Sequence, residues 1–121
     1  MAAALIVEDD EPIRSMLAAV VRAKGFTVET ACDGQEAIEK LQSGRFDVIV
    51  LDLMMPKVNG YDVLRHLSES QPHLLERVII ATAVPEREVR RNVTQPVFGV
   101  HHKPFELARL LTDMRLCAKA S

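Results

Sequence analysis

Val48-Ile49-Val50-Leu51-Asp52 is a run of four aliphatic residues that ends in a carboxylate. Apolar side chains at consecutive rather than alternate positions suit a strand covered on both faces, as in a parallel sheet. Val78-Ile79-Ile80-Ala81-Thr82 repeats the pattern and ends in a hydroxyl. Working outward from these two runs, Ala3–Val7, Thr27–Ala31 and Val97–Val100 read as three further strands. Amphipathic segments fit between them. Ile13, Leu17, Val20 and Val21 share one helical face, with Pro12 in the first turn, where its missing N–H costs little, and Gly25 as the stop. Asp33 with Glu36 predicts a capping box ahead of Ala37, Ile38 and Leu41, and Ser43-Gly44 closes that helix. Tyr61, Leu64 and Leu67 form a third stripe, and Leu107, Leu110, Leu111 and Met114 a last one. The weakest segment is Pro85 to Pro96, where Glu86 to Asn92 reads as a short, charged helix. Five strands alternating with five helices predict a doubly wound α/β fold with right-handed crossovers. In such sheets, sites form beyond the carboxyl ends of the strands.

Composition narrows the function classes. The 121 residues fit one domain, 1–121, with 48% hydrophobic and 26% charged residues. A formal net charge of -2 gives no basic field for direct nucleic-acid binding. Ala2 to Val7 is too short for a membrane span and has no basic flank, so neither a signal peptide nor a membrane anchor is expected. Cys32 and Cys117 lack metal-ligand spacing and read as reduced thiols in a cytoplasmic protein. There is no Gly-rich phosphate loop, which argues against a nucleotide-binding enzyme.

The strand ends carry the chemistry. The first strand delivers Glu8-Asp9-Asp10, the third Asp52, the fourth Thr82-Ala83 and the fifth Lys103-Pro104. Taken singly, each is ordinary: a helix cap, a loop carboxylate, a β-branched strand residue, a surface lysine. Together they place carboxylates, a hydroxyl and an ammonium in one pocket. Clustered carboxylates repel one another, and a divalent cation relieves that. Hard oxygen ligands without histidine or thiolate favour Mg²⁺, or Mn²⁺, over zinc. An ammonium and a hydroxyl beside such a cation suit a phosphoryl group, and a carboxylate can itself be the nucleophile.

Leu5-Ile6-Val7-Glu8-Asp9-Asp10-Glu11-Pro12-Ile13-Arg14, then Val48 to Pro56 with Asn59-Gly60, then Thr82-Ala83, then Lys103-Pro104-Phe105 resemble the motif set of response-regulator receiver domains, over essentially the whole chain. The resemblance implies a flavodoxin-like three-layer sandwich: a five-stranded parallel sheet in the order 2-1-3-4-5 flanked by five helices. It implies that Asp52 is the phosphoacceptor, served by a histidine kinase or histidine phosphotransfer protein. Asp9, Asp52 and the backbone carbonyl of Met54 would ligate Mg²⁺, with Glu8 acting through water in the outer shell. Thr82 and Lys103 would contact the phosphoryl oxygens. The Lys103-Pro104 bond is expected to be cis, and Asp10 to belong to the helix cap. The output would be an effector domain, a partner protein or a phosphorylation-dependent dimer on the face formed by helix four, strand five and helix five.

The chain also departs from the family. Receivers usually carry an aromatic residue three positions before the lysine, where this chain has Val100, with Phe98 two residues earlier. The small-residue pair before strand five is replaced by Gln95-Pro96-Val97. These departures leave open a second class, a receiver that acts as a phosphorylation-independent interaction module. Met54 and Val84 sit two residues after Asp52 and Thr82, where the resemblance implies the path of the hydrolytic water; both are apolar and predict a long-lived aspartyl phosphate. Arg87, Arg90 and Arg91 read as a solvated helix face, and the four histidines as structural or surface residues.

Overall fold

The apolar runs form the centre of a five-stranded sheet with β1 at Ala3–Val7, β2 at Thr27–Ala31, β3 at Val48–Leu51, β4 at Val78–Thr82 and β5 at Gly99–His102. All neighbours pair in parallel, in the order β2-β1-β3-β4-β5 expected from the motifs. This is a computed structural model, and it describes residues 2–120; Met1 and Ser121 of the expected 1–121 span lie outside the described residues.

Every residue of β3 and β4 is buried, because both faces of the sheet are covered. Successive side chains point to opposite faces, so the strands feed two separate cores. Leu5, Val7, Ile49, Leu51, Val78 and Ile80 pack against α2 (Gly34–Ser43), α3 (Gly60–Ser70) and α4 (Glu86–Asn92). Ala4, Ile6, Val48, Val50, Ile79 and Ala81 pack against α1 (Glu11–Ala23) and α5 (Leu107–Lys119). The result is the three-layer sandwich, with a short 3-10 segment, Pro72–Arg77, that the hydrophobic pattern did not announce.

The fifth strand lies two residues later than expected. Its register runs from Ile79↔Gly99 to Thr82↔His102. An edge strand need not be apolar on both faces, so two histidines are accommodated within it. The apolar Val97-Phe98 serves as the approach: Val97 packs into the α2–α3–α4 core, and the Phe98 N–H donates to the Val78 carbonyl at 2.8 Å.

The helix starts follow their caps. Asp10 accepts from the Ile13 N–H and opens α1, as expected, and Gly25 follows its end at φ +97°, where glycine is favoured. Asp33 accepts from the Glu36 N–H, but the Glu36 carboxylate accepts from the Cys32 N–H at 2.8 Å, so the expected box forms on one side only. The reciprocal box sits instead at α3. Asn59 accepts from the Asp62 N–H at 3.0 Å, and Asp62 from the Asn59 N–H at 3.2 Å. Along α3, buried Val63 joins Leu64 and Leu67, leaving Tyr61 half-buried at the edge. In α5, buried Cys117 extends the stripe, while Leu107 is half-buried. Both cysteines are free thiols.

Gly60 begins α3 hard against the chain that leaves β3. A Cβ there would lie 2.3 Å from the Asp52 carbonyl oxygen and 2.6 Å from the Leu53 Cα. Both are backbone atoms and cannot swing aside. Gly60→Ala is expected to cost about 2 kcal/mol through overpacking, read as a lower midpoint in urea unfolding. An unchanged midpoint would show that α3 is free to move away from β3.

Candidate functional site

Among the described residues, the polar or charged ones that are buried are Glu8 (3% exposed), Asp52 (5%) and Thr82 (0%). A buried polar group needs a partner to offset its lost hydration, and these three lie where β1, β3 and β4 end. The sheet order explains their meeting: β1 and β4 flank β3 on its two sides.

Lys103 supplies the charge that makes the burial tolerable. Its ammonium donates to Glu8 Oε1 at 2.5 Å and to Asp52 Oδ2 at 3.3 Å. It reaches the site from the end of β5, where its backbone N–H donates to the Thr82 carbonyl at 2.7 Å. The Lys103-Pro104 bond is cis. Burial opposes the ammonium charge, but the hydrogen bond to Glu8 and the charge of Asp52 outweigh it and raise the Lys103 pKa. Burial pushes Glu8 up to about 7, against the lowering effect of hydrogen bonds from Lys103 and the Asp10 N–H.

The remaining acceptor atoms are also engaged. Glu8 Oε2 accepts from the Asp10 N–H at 3.2 Å, and Asp52 Oδ1 from the Met54 N–H at 3.3 Å. Exposed Asp9 completes an acidic cluster in which one carboxylate oxygen from each of Glu8, Asp9 and Asp52 lies within 4.8 Å of the others. That spacing and an all-oxygen donor set fit a hard divalent cation such as Mg²⁺. Thr82 turns its hydroxyl oxygen to the Val84 N–H, which donates at 3.2 Å.

Two contributors to the site were not visible in the sequence pattern. Arg14, one turn into α1, donates from Nη1 to the carbonyl of Glu8 at 3.0 Å and, less closely, to that of Asp9 at 3.3 Å, steadying the acidic pair from behind. The imidazole Nδ1 of His102 lies 3.2 Å from the Val84 carbonyl oxygen. His101, the other β5 histidine, pairs through Nε2 with Asp113 Oδ2 at 2.7 Å, in keeping with a structural role. Arg87, Arg90 and Arg91 are exposed, and Arg90 is paired with Glu86 at 3.3 Å, as a solvated face would be.

Comparison with known proteins identifies the family. The family model described as the response regulator receiver domain matches residues 4–115. Response regulator MprA of Mycobacterium ulcerans is 37% identical over 118 residues, covering 92% of this chain and 47% of that protein. The chain thus spans about half the length of the curated relatives it matches. Among solved structures, the chemotaxis response regulator CheY4 of Vibrio cholerae superposes with a TM-score of 0.84 at 30% identity, covering 97% of this chain and 98% of that one. The response regulator TrrA of Thermotoga maritima, solved in complex with Mg(2+)-BeF, has a TM-score of 0.84 at 25% identity, covering 97% of this chain and 99% of that one. The chain belongs to the response-regulator receiver domains of two-component signalling systems.

Proposed function

We propose that residues 1–121 form one receiver unit that works as a phosphorylation-dependent switch, in which Asp52 accepts a phosphoryl group from a histidine kinase or a histidine phosphotransfer protein. The observation that carries this reading is the environment of Asp52: a buried carboxylate with one oxygen against the Lys103 ammonium and the other against the Met54 N–H, inside the acidic cluster. An Asp52 oxygen attacks the phosphorus of a phosphohistidine. The P–O bond forms as the P–N bond breaks, and the imidazole leaves with the electron pair. The transferring group has a loose transition state with charge spread over its equatorial oxygens, so the protein's task is positioning and charge offset. Lys103 offsets charge on one oxygen and the Thr82 hydroxyl donates to another.

The acidic cluster would hold Mg²⁺, or Mn²⁺ in its place, through Asp9, Asp52 and the Met54 carbonyl, with Glu8 in the outer shell. When bound, the cation supplies positive charge at the phosphoryl oxygens. The unit promotes only its own phosphorylation and dephosphorylation and is not an enzyme acting on a separate substrate. Its setting is the cytoplasm; among the described residues, no helix is long and apolar enough to cross a membrane. The α4–β5–α5 face engages an effector domain, a partner protein or a second phosphorylated copy, without direct contact to nucleic acid or membrane. One observation favours a second reading, a phosphorylation-independent interaction module: Val100 is an exposed aliphatic residue where the family's switch uses a ring.

Asp52→Asn is expected to abolish Mg²⁺-dependent labelling by acetyl phosphate, followed by intact mass; undiminished labelling of that variant would refute the assignment of Asp52. Exposed Met54 and buried Val84 offer no side-chain hydrogen bond to an incoming water. The aspartyl phosphate is therefore expected to be long-lived, and Met54→Asn to shorten its half-life as followed by loss of label. A half-life that stays the same would remove Met54 from the control of hydrolysis.

A further inference from the structure

Thr82, Ala83 and Val84 make the turn that leaves β4, and the end of β5 holds that turn in more than one place. The register pairs Thr82 with His102. The Thr82 carbonyl accepts from the Lys103 N–H at 2.7 Å. The Val84 N–H donates to Thr82 Oγ1 at 3.2 Å, and the Val84 carbonyl lies 3.2 Å from His102 Nδ1. A carbonyl oxygen only accepts, so Nδ1 carries the proton in this contact. Val84 is thus tied at both of its backbone polar groups, while its side chain is buried beside α3 and α4.

This bears on the hydroxyl that the proposed phosphoryl transfer uses. A threonine hydroxyl has one proton to give and lone pairs to receive with. The Val84 N–H occupies an acceptor position on Thr82 Oγ1, which turns the hydroxyl proton away from Val84 and frees it for another acceptor. Hydroxyl-to-backbone turns of this two-residue kind are weak on their own. The imidazole adds the second tie. Val100, on the same face of β5 two residues earlier, has no group with which to make one.

We infer that His102 is a positioning residue for the Thr82 hydroxyl, acting through the backbone of Val84. The inference deepens the proposed phosphoryl transfer and rests on it for its consequence. Its geometric part stands apart: the tie exists, and can be tested, without metal or phosphodonor.

Three variants test it: His102→Leu, which keeps bulk and removes the donor; His102→Asn, whose amide nitrogen takes the place of Nδ1; and Thr82→Val. In the metal-free protein, amide hydrogen exchange at Val84 should quicken by about fivefold in His102→Leu. It should return to the wild-type rate in His102→Asn. In labelling by acetyl phosphate with Mg²⁺, His102→Leu should slow the initial rate by about fivefold, and His102→Asn should restore it. In the Thr82→Val background, His102→Leu should bring no further slowing, because the two residues act on one hydroxyl. Val84 exchange unchanged in His102→Leu would overturn the inference. So would equal slowing by Leu and Asn, or slowing by His102→Leu that multiplies with Thr82→Val. If wild-type protein takes no label while Val84 exchange follows the expected pattern, the proposed phosphoryl transfer fails and the tie to His102 stands.

Discussion

Glu8 and Asp52 are both buried at the carboxyl edge of the sheet, and a single ammonium, that of Lys103, lies against both. Two neighbouring carboxylates removed from water repel each other and each loses hydration, an expense of several kcal/mol for an unpaired charge. The lysine that relieves this comes from the far edge of the sheet, so β5 must dock in register for the site to exist. The same strand end also grips the turn after β4. Sheet order and site electrostatics are therefore one constraint: misplaced strands would leave buried charges unmatched.

Some of this was legible in the sequence because the physics is local or periodic. Four consecutive aliphatic residues before Asp52 need a sheet covered on both faces, and the two cores show why. The Asp10 cap was implied by the receiver motif, whose acidic pair falls on Glu8 and Asp9, and Asp10 does accept from the Ile13 N–H. The buried trio of Glu8, Asp52 and Thr82 was also readable, since each ends an apolar run and doubly wound sheets gather strand ends at one edge.

What was not legible depends on partners distant in sequence or on competition between neighbours. The start of β5 is set by pairing with Ile79, not by the Val97-Phe98 pair that catches the eye. The Glu36 carboxylate has a choice of nearby N–H groups and takes that of Cys32, which a capping-box pattern does not foresee. Asn59 entered only as part of the Asn59-Gly60 motif, and its reciprocal bond with Asp62 needs the helix geometry that brings the two together. Likewise, Arg14 closes the first quoted motif with no role assigned to it, and its guanidinium donates to the carbonyls of Glu8 and Asp9, a contact that depends on how α1 folds back on the end of β1.

The two cores share a sheet but belong to opposite sides of it. Ile49 and Leu51 look one way, Val48 and Val50 the other. The sheet behaves as a partition with a side chain on each face at alternate steps. A change of volume under α1 reaches the α2–α3–α4 layer by displacing a strand as a rigid bar. Asp52 sits at the tip of such a bar. Each helical layer is thus free to acquire its own binding surface by substitution, while any disturbance large enough to shift β3 is felt first at the carboxylate at its end.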